Sequence, residues 1–144
     1  MSKDVKSPHH SAARALERDA KAAKAEVEEL VQALAALPAD MRATVRDKID
    51  SARSRLEAID AQAERALDEQ RIDFATRLAR LEEQLEQQAD DEQRRRIEAS
   101  KAQAQTAYQI SRHALENARS TAKDGAEFSA EALGVYSRAF EAIS

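Results

Sequence analysis

Any chemistry in this chain would come from three histidines, a dense set of carboxylates and one arginine triplet. His9 and His10 are adjacent, so they do not converge on one helical face as two metal ligands would need to. His113 stands alone on a predicted helix. The six acids Glu82, Glu83, Glu86, Asp90, Asp91 and Glu92 could hold a cation, but they lack the alternating Asp/Asn and the glycine of a calcium loop. Arg94, Arg95 and Arg96 could meet a phosphate, yet they adjoin those six acids and have no aromatic interleaving. There is no Gly-rich phosphate loop, no H-E-x-x-H and no nucleophile with a plausible base. Without cysteine there is no thiolate, disulfide or zinc-thiolate chemistry. No catalytic, cofactor-binding or metal-binding residue is expected, and the pattern argues against an enzyme.

The elements that carry these residues are helices. Charged residues make up 35% of the 144 and aromatics only 3%, with two Gly and two Pro, too few for the turns of a β-rich fold. Ala, Glu, Arg, Leu and Gln dominate, the composition of long helices and coiled coils. Because so many apolar residues are Ala, each helix offers a narrow seam rather than a thick core. The expectation is an all-α fold, a long antiparallel helical hairpin or coiled-coil bundle of three to four helices, elongated. It divides into a disordered tail over 1–10, the bundle over 11–123 and an amphipathic, aromatic-rich C-terminal helix over 126–144.

From Ala13 the seam is a strict heptad: Ala13, Leu16, Ala20, Ala23, Val27, Leu30, Leu34, Leu37. Pro38 breaks it, since it disfavours helical geometry at Leu37 and suits the first turn of a new helix, where Asp40 complements the dipole. So short a link allows a kink or a tight antiparallel turn. Folding back sets large residues against small ones at most of the outer layers, Ala23 by Leu56 and Ala13 by Leu67 among them, which favours the turn.

The second helix is the organising rod. Leu56, Ile59, Ala63, Leu67, Gln70, Phe74, Leu78, Leu81, Leu85 and Ala89 follow steps of three, four and four, and no Gly or Pro occurs from Ala39 to Asp124. That 11-residue period keeps one face of a nearly straight helix against a partner. It fails after Leu85, and 87–93 is wholly polar apart from Ala89. A second turn capped by Asp90 or Asp91 is favoured there over one uninterrupted helix of about 85 residues and about 125 Å. Folding at this point pairs Leu85 with Ile97, Leu78 with Ala104, Phe74 with Tyr108 and Leu67 with Leu115.

A weaker seam follows, Ile97, Ala104, Tyr108, Leu115, Ala118 and Ala122, and Gly125 is expected to end that helix as a left-handed C-cap. Beyond it, Phe128, Leu133, Val135, Tyr136, Phe140 and Ile143 form a broad apolar stripe holding three of the five aromatics. Gly134 within it costs about 1 kcal/mol of helix propensity. Phe128, Leu133, Tyr136, Phe140 and Ile143 are the candidate partner-binding residues, although the stripe could also cap the chain's own core. Glu127, Glu131, Arg138 and Glu141 make the polar face net acidic, which suits a protein groove or a neutral apolar surface better than anionic lipid.

Charge comes in blocks: basic over 42–55, acidic over 57–73, strongly acidic over 82–92, then the arginine triplet. Such blocks set helix register, direction and partner choice. A net charge of −4 is too near balance to draw the whole surface to nucleic acid. No run approaches the ~20 apolar residues of a membrane span. The first residues, Met1 to Pro8, lack the apolar core of a signal peptide, so a cytoplasmic location is expected.

The residues Ala99-Ser-Lys-Ala-Gln-Ala-Gln-Thr-Ala-Tyr108 through Gly134-Val-Tyr-Ser-Arg-Ala-Phe-Glu-Ala142 are similar to bacterial phasins. These are low-complexity, Ala/Glu/Gln-rich helical proteins that coat polyhydroxyalkanoate granules and often end in a Tyr-containing helix. The resemblance covers about 45 residues and rests on composition and spacing; the Arg- and Leu-rich rod before it departs from the usual phasin pattern. It implies an apolar granule surface as the partner. The residues themselves point first to a non-enzymatic coiled-coil structural or adaptor protein, a homo-oligomer that docks a helical protein through its C-terminal helix. A nucleoid- or ribosome-associated factor using Arg94 to Arg96 is the third and weakest reading.

Overall fold

The computed structural model describes the backbone of residues 8–87 and 90–143, and side chains over 10–87 and 90–135 and at Arg138. Among these residues the chain is three helices with no strand: α1 (Pro8–Ala36), α2 (Ala39–Glu86) and α3 (Asp91–Ile143). At 1.5 Å per residue they are about 43, 72 and 80 Å long. Helix α1 begins inside the segment expected to be a disordered tail, with Pro8 at a first-turn position that a helix tolerates. The rest of that tail lies outside the described residues.

The α1–α2 link is the tight antiparallel turn that Pro38 favours. Pro38 takes φ −59° and ψ 154°, outside the helical region, and its carbonyl accepts from Met41 N at 3.1 Å. Arg42 Nε donates to the Leu37 carbonyl at 2.8 Å, satisfying one of the acceptors left at the end of α1. The second turn is also present, with neither Gly nor Pro. Gln87 leaves α2 in an extended conformation. Asp90 Oδ1 accepts from Gln93 N at 2.8 Å while Asp90 N donates to Gln93 Oε1 at 3.0 Å. This reciprocal pair is a capping box, which substitutes side-chain chemistry for a breaker residue.

The seams face inward as their spacing requires. Leu34 and Leu56 are fully buried, and Leu30, Leu37, Ile59, Leu67, Phe74, Leu78, Leu81 and Leu85 are half-buried. The core is one cluster drawn from all three helices: Ala13, Ala20, Ala23 and Val27 of α1, Ala52, Leu56 and Ala63 of α2, and Ala114, Leu115, Ala118 and Ala122 of α3. Interhelical polar contacts hold the register. Arg55 Nη2 meets Glu26 Oε2 at 2.8 Å, Asn117 Nδ2 donates to Glu17 Oε2 at 3.0 Å, and Arg119 Nε meets Asp60 Oδ1 at 2.8 Å.

One expectation is corrected. Gly125 does not end a helix, because α3 runs through it to Ile143, and no described glycine has positive φ. Gly125 is buried where three helices meet: a Cβ there would lie 2.8 Å from Leu56 Cδ1 and 3.3 Å from Lys24 Cβ. The glycine permits close approach rather than a left-handed turn. The C-terminal helix is therefore the last third of α3, not a separate element.

Candidate functional site

Among the described residues, helix α1 does not cover the full length of α2 and α3. Glu17 meets Asn117, and Lys24 lies against Gly125, so each α1 residue sits level with the α3 residue about one hundred positions on. The start of α1 at Pro8 is thus level with Tyr108. Beyond it, among the described residues, α2 and α3 continue as a two-helix hairpin towards Gln87 and Asp90. The Glu82–Lys101 ion pair at 3.8 Å spans this outer part. Phe74 and Tyr108 stack at its base with ring centroids 4.4 Å apart and planes 1° from parallel, the pairing expected from the fold-back. Arg112 Cζ lies 6.0 Å from the Tyr108 centroid, adding a cation to that ring.

Past Pro8 the track that α1 occupies continues as a groove that no third helix covers among the described residues. Arg55, which bridges to α1, and Arg77 are two 11-residue periods apart and so share a face of α2. Ala107 is one heptad from Ala114, which is buried in the three-helix core. A cleft of about 120 Å³ lies at the head of this groove, lined by Gln70, Asp73, Phe74 and Arg77 of α2 and by Ala104, Ala107, Tyr108 and Ser111 of α3. Ser111 is only 3% exposed, and its Oγ has no hydrogen-bond partner. Farther out, Leu78, Leu81, Leu85 and Ile97 are half-buried.

The candidate docking residues fare unevenly. Phe128 and Val135, seven apart on one face, are 39% and 55% exposed, whereas Leu133 is half-buried. The side chains of Tyr136, Phe140 and Ile143 lie outside the described residues. His113 is exposed, and His10 makes a contact of its own. Among the described residues no three His, Asp or Glu are grouped to hold a metal, and no helix is long and apolar enough to cross a membrane. Within the arginine triplet, Arg96 pairs with Glu92 at 2.8 Å.

Sequence reasoning missed Ser111 and Ser129 and gave Gly125 another role; all three are buried on α3. Their signal was spacing alone. Ala104, Tyr108, Ser111, Leu115, Ala118, Ala122, Gly125 and Ser129 alternate steps of four and three without a break. The Ser129 hydroxyl satisfies itself by donating to the Ala126 carbonyl at 2.8 Å.

The class that this geometry defines is an all-α protein whose described residues form three helices, with the α2–α3 hairpin extending past the described part of α1. No family model, curated protein or solved structure matches the chain.

Proposed function

We propose that the chain is a non-enzymatic, elongated coiled-coil adaptor that self-associates through exposed helix faces and presents the end of α3 to a partner in the cytoplasm. The observation that carries this reading is the uneven coverage of the hairpin. Level with α1 the seam of α2 and α3 holds fully buried residues such as Leu56, Ala63, Leu115 and Ala118 beside the half-buried Ile59 and Leu67. Beyond it the large apolar residues Leu78, Leu81, Leu85 and Ile97 are all half-buried, and a packed helix face left partly exposed is a place for another helix. Light-scattering mass joined to small-angle scattering tests it. A particle heavier than one chain at micromolar concentration supports the reading, and a compact monomer would sink it.

A second reading, a phasin-like coat on an apolar granule, draws on the exposure of Phe128 and Val135 on the outer side of α3. Truncating α3 at Ala126 is a poor test because Ser129 is buried against the bundle. The double variant Phe128→Glu, Val135→Glu should abolish partitioning onto apolar droplets with helicity retained. Unchanged partitioning would remove this reading.

A further inference from the structure

Deepening the self-association reading and resting on it, we propose that the occupant of the open groove is a second copy of this chain, its α2–α3 hairpin laid antiparallel with the tip of each over the base of the other.

Shape and charge both select this partner. The groove runs along α2 from Gln70 to the end of the helix at Glu86, about 25 Å at 1.5 Å per residue. It continues a face on which α1 already packs, so the occupant is helical. The exposed Ala107 on its α3 side lets a backbone come close. Two helices of about 10 Å diameter over that length offer on the order of 500 Å² per copy, the lower edge of what a specific interface needs. The dimer should therefore be weak, in the micromolar range.

The outer half of the hairpin, 81–99, carries seven acids against three bases. The inner half, 69–80 with 100–112, carries five bases against two acids. Among the described residues Arg77 and Arg80 are in no ion pair, nor are Glu83, Glu86 and Asp91. Tips laid side by side would stack acid on acid, whereas tip over base sets the acidic end of one copy against the basic end of the other, with a charge pattern that selects orientation.

The test is sedimentation of the full chain and three variants over a concentration series, with far-ultraviolet dichroism and Tm as fold controls. Ala107 is exposed, so Ala107→Glu should leave helicity and Tm unchanged and weaken the dimer at least about tenfold, the equivalent of 1.4 kcal/mol. The double variants Arg77→Glu, Arg80→Glu and Glu83→Arg, Glu86→Arg should each weaken it, and combining all four changes should restore it. Added salt should weaken the wild-type dimer. Strengthening by Glu83→Arg, Glu86→Arg would mean side-by-side tips and overturn the arrangement. A dimer indifferent to all these variants would overturn the groove as its seat and leave self-association standing. A monomer at every concentration would remove both. A monomer that lost stability with Ala107→Glu would mean that the groove is covered within the chain and would likewise overturn the proposal.

Discussion

Gly125 of α3 and Leu56 of α2 approach so closely that a methyl group on the glycine would stand 2.8 Å from Leu56 Cδ1. Leu56 is fully buried, so its packed Cδ1 would have to shift, and Lys24 closes the other side at 3.3 Å. Alanine ordinarily gains about 1 kcal/mol over glycine within a helix, but overpacking a filled core costs about 1–3 kcal/mol. Gly125→Ala should therefore lower stability by about 1 kcal/mol. Gly134 has nothing within 4 Å of its Cβ direction, so Gly134→Ala should raise stability by up to about 1 kcal/mol. Thermal melts of the two variants should move in opposite directions, and a shared sign would contradict the three-helix junction at Gly125.

Phe74 and Tyr108 join the base of the outer hairpin by parallel stacking. A double-mutant cycle with Phe74→Leu and Tyr108→Leu should give a coupling of about 0.5–1.5 kcal/mol, the usual worth of an aromatic pair beyond its burial. Denaturant unfolding of the four proteins measures it. Additive effects would mean that the rings do not meet in solution and that the α2–α3 register is shifted.

The register of that hairpin is readable because large residues repeat at helical spacing: the steps of three, four and four from Leu56 to Leu85, folded back at Asp90, set Phe74 opposite Tyr108. The turn at Pro38 was equally plain, as proline has only a few helical positions open to it. The turn at Asp90 was harder, since its stop is a pair of side-chain hydrogen bonds rather than a breaker residue. Gly125 was misleading for a physical reason, because glycine serves both left-handed caps and close helix approach and its type alone does not say which. Ser111 and Ser129 were hidden by polarity, although the heptad spacing ran straight through them. The groove could not have been seen at all, as it depends on how α1 is set against α2 and α3, a property of three-dimensional register.

The capping box at the second turn lends itself to direct measurement. Asp90→Ala removes the acceptor for Gln93 N, and should cost about 1 kcal/mol. Asp90→Asn, which keeps an acceptor at the same place, should cost far less. Because nothing else in the turn breaks a helix, loss of the cap also favours a continuous α2–α3 helix, which would exchange outer segments between chains. An increase in mass for Asp90→Ala but not for Asp90→Asn would reveal that exchange, and equal stability of the two variants would mean that the cap does not hold the turn.

Arg119 ties α3 to α2 through Asp60 at 2.8 Å and Glu64 at 3.9 Å. Its guanidinium is held above its ordinary pKa, first by the hydrogen bond to Asp60, against some desolvation, with Coulombic help from Asp60, Glu64 and Asp68. A cation whose pKa rises on folding adds stability that is complete below its unfolded pKa and is lost only as pH climbs through the folded one. For an arginine that window is strongly alkaline, so the contribution should be flat from neutral to moderately alkaline pH. Arg119→Met should cost about 1 kcal/mol across that whole range, a modest figure because the pair is partly open to solvent. Arg119→Lys should recover only part of it, since an ammonium does not reproduce the directed Nε–H hydrogen bond to Asp60. Chemical denaturation at several pH values gives the answer: a penalty that shrinks between neutral and moderately alkaline pH would mean that a group other than Arg119 carries the tie.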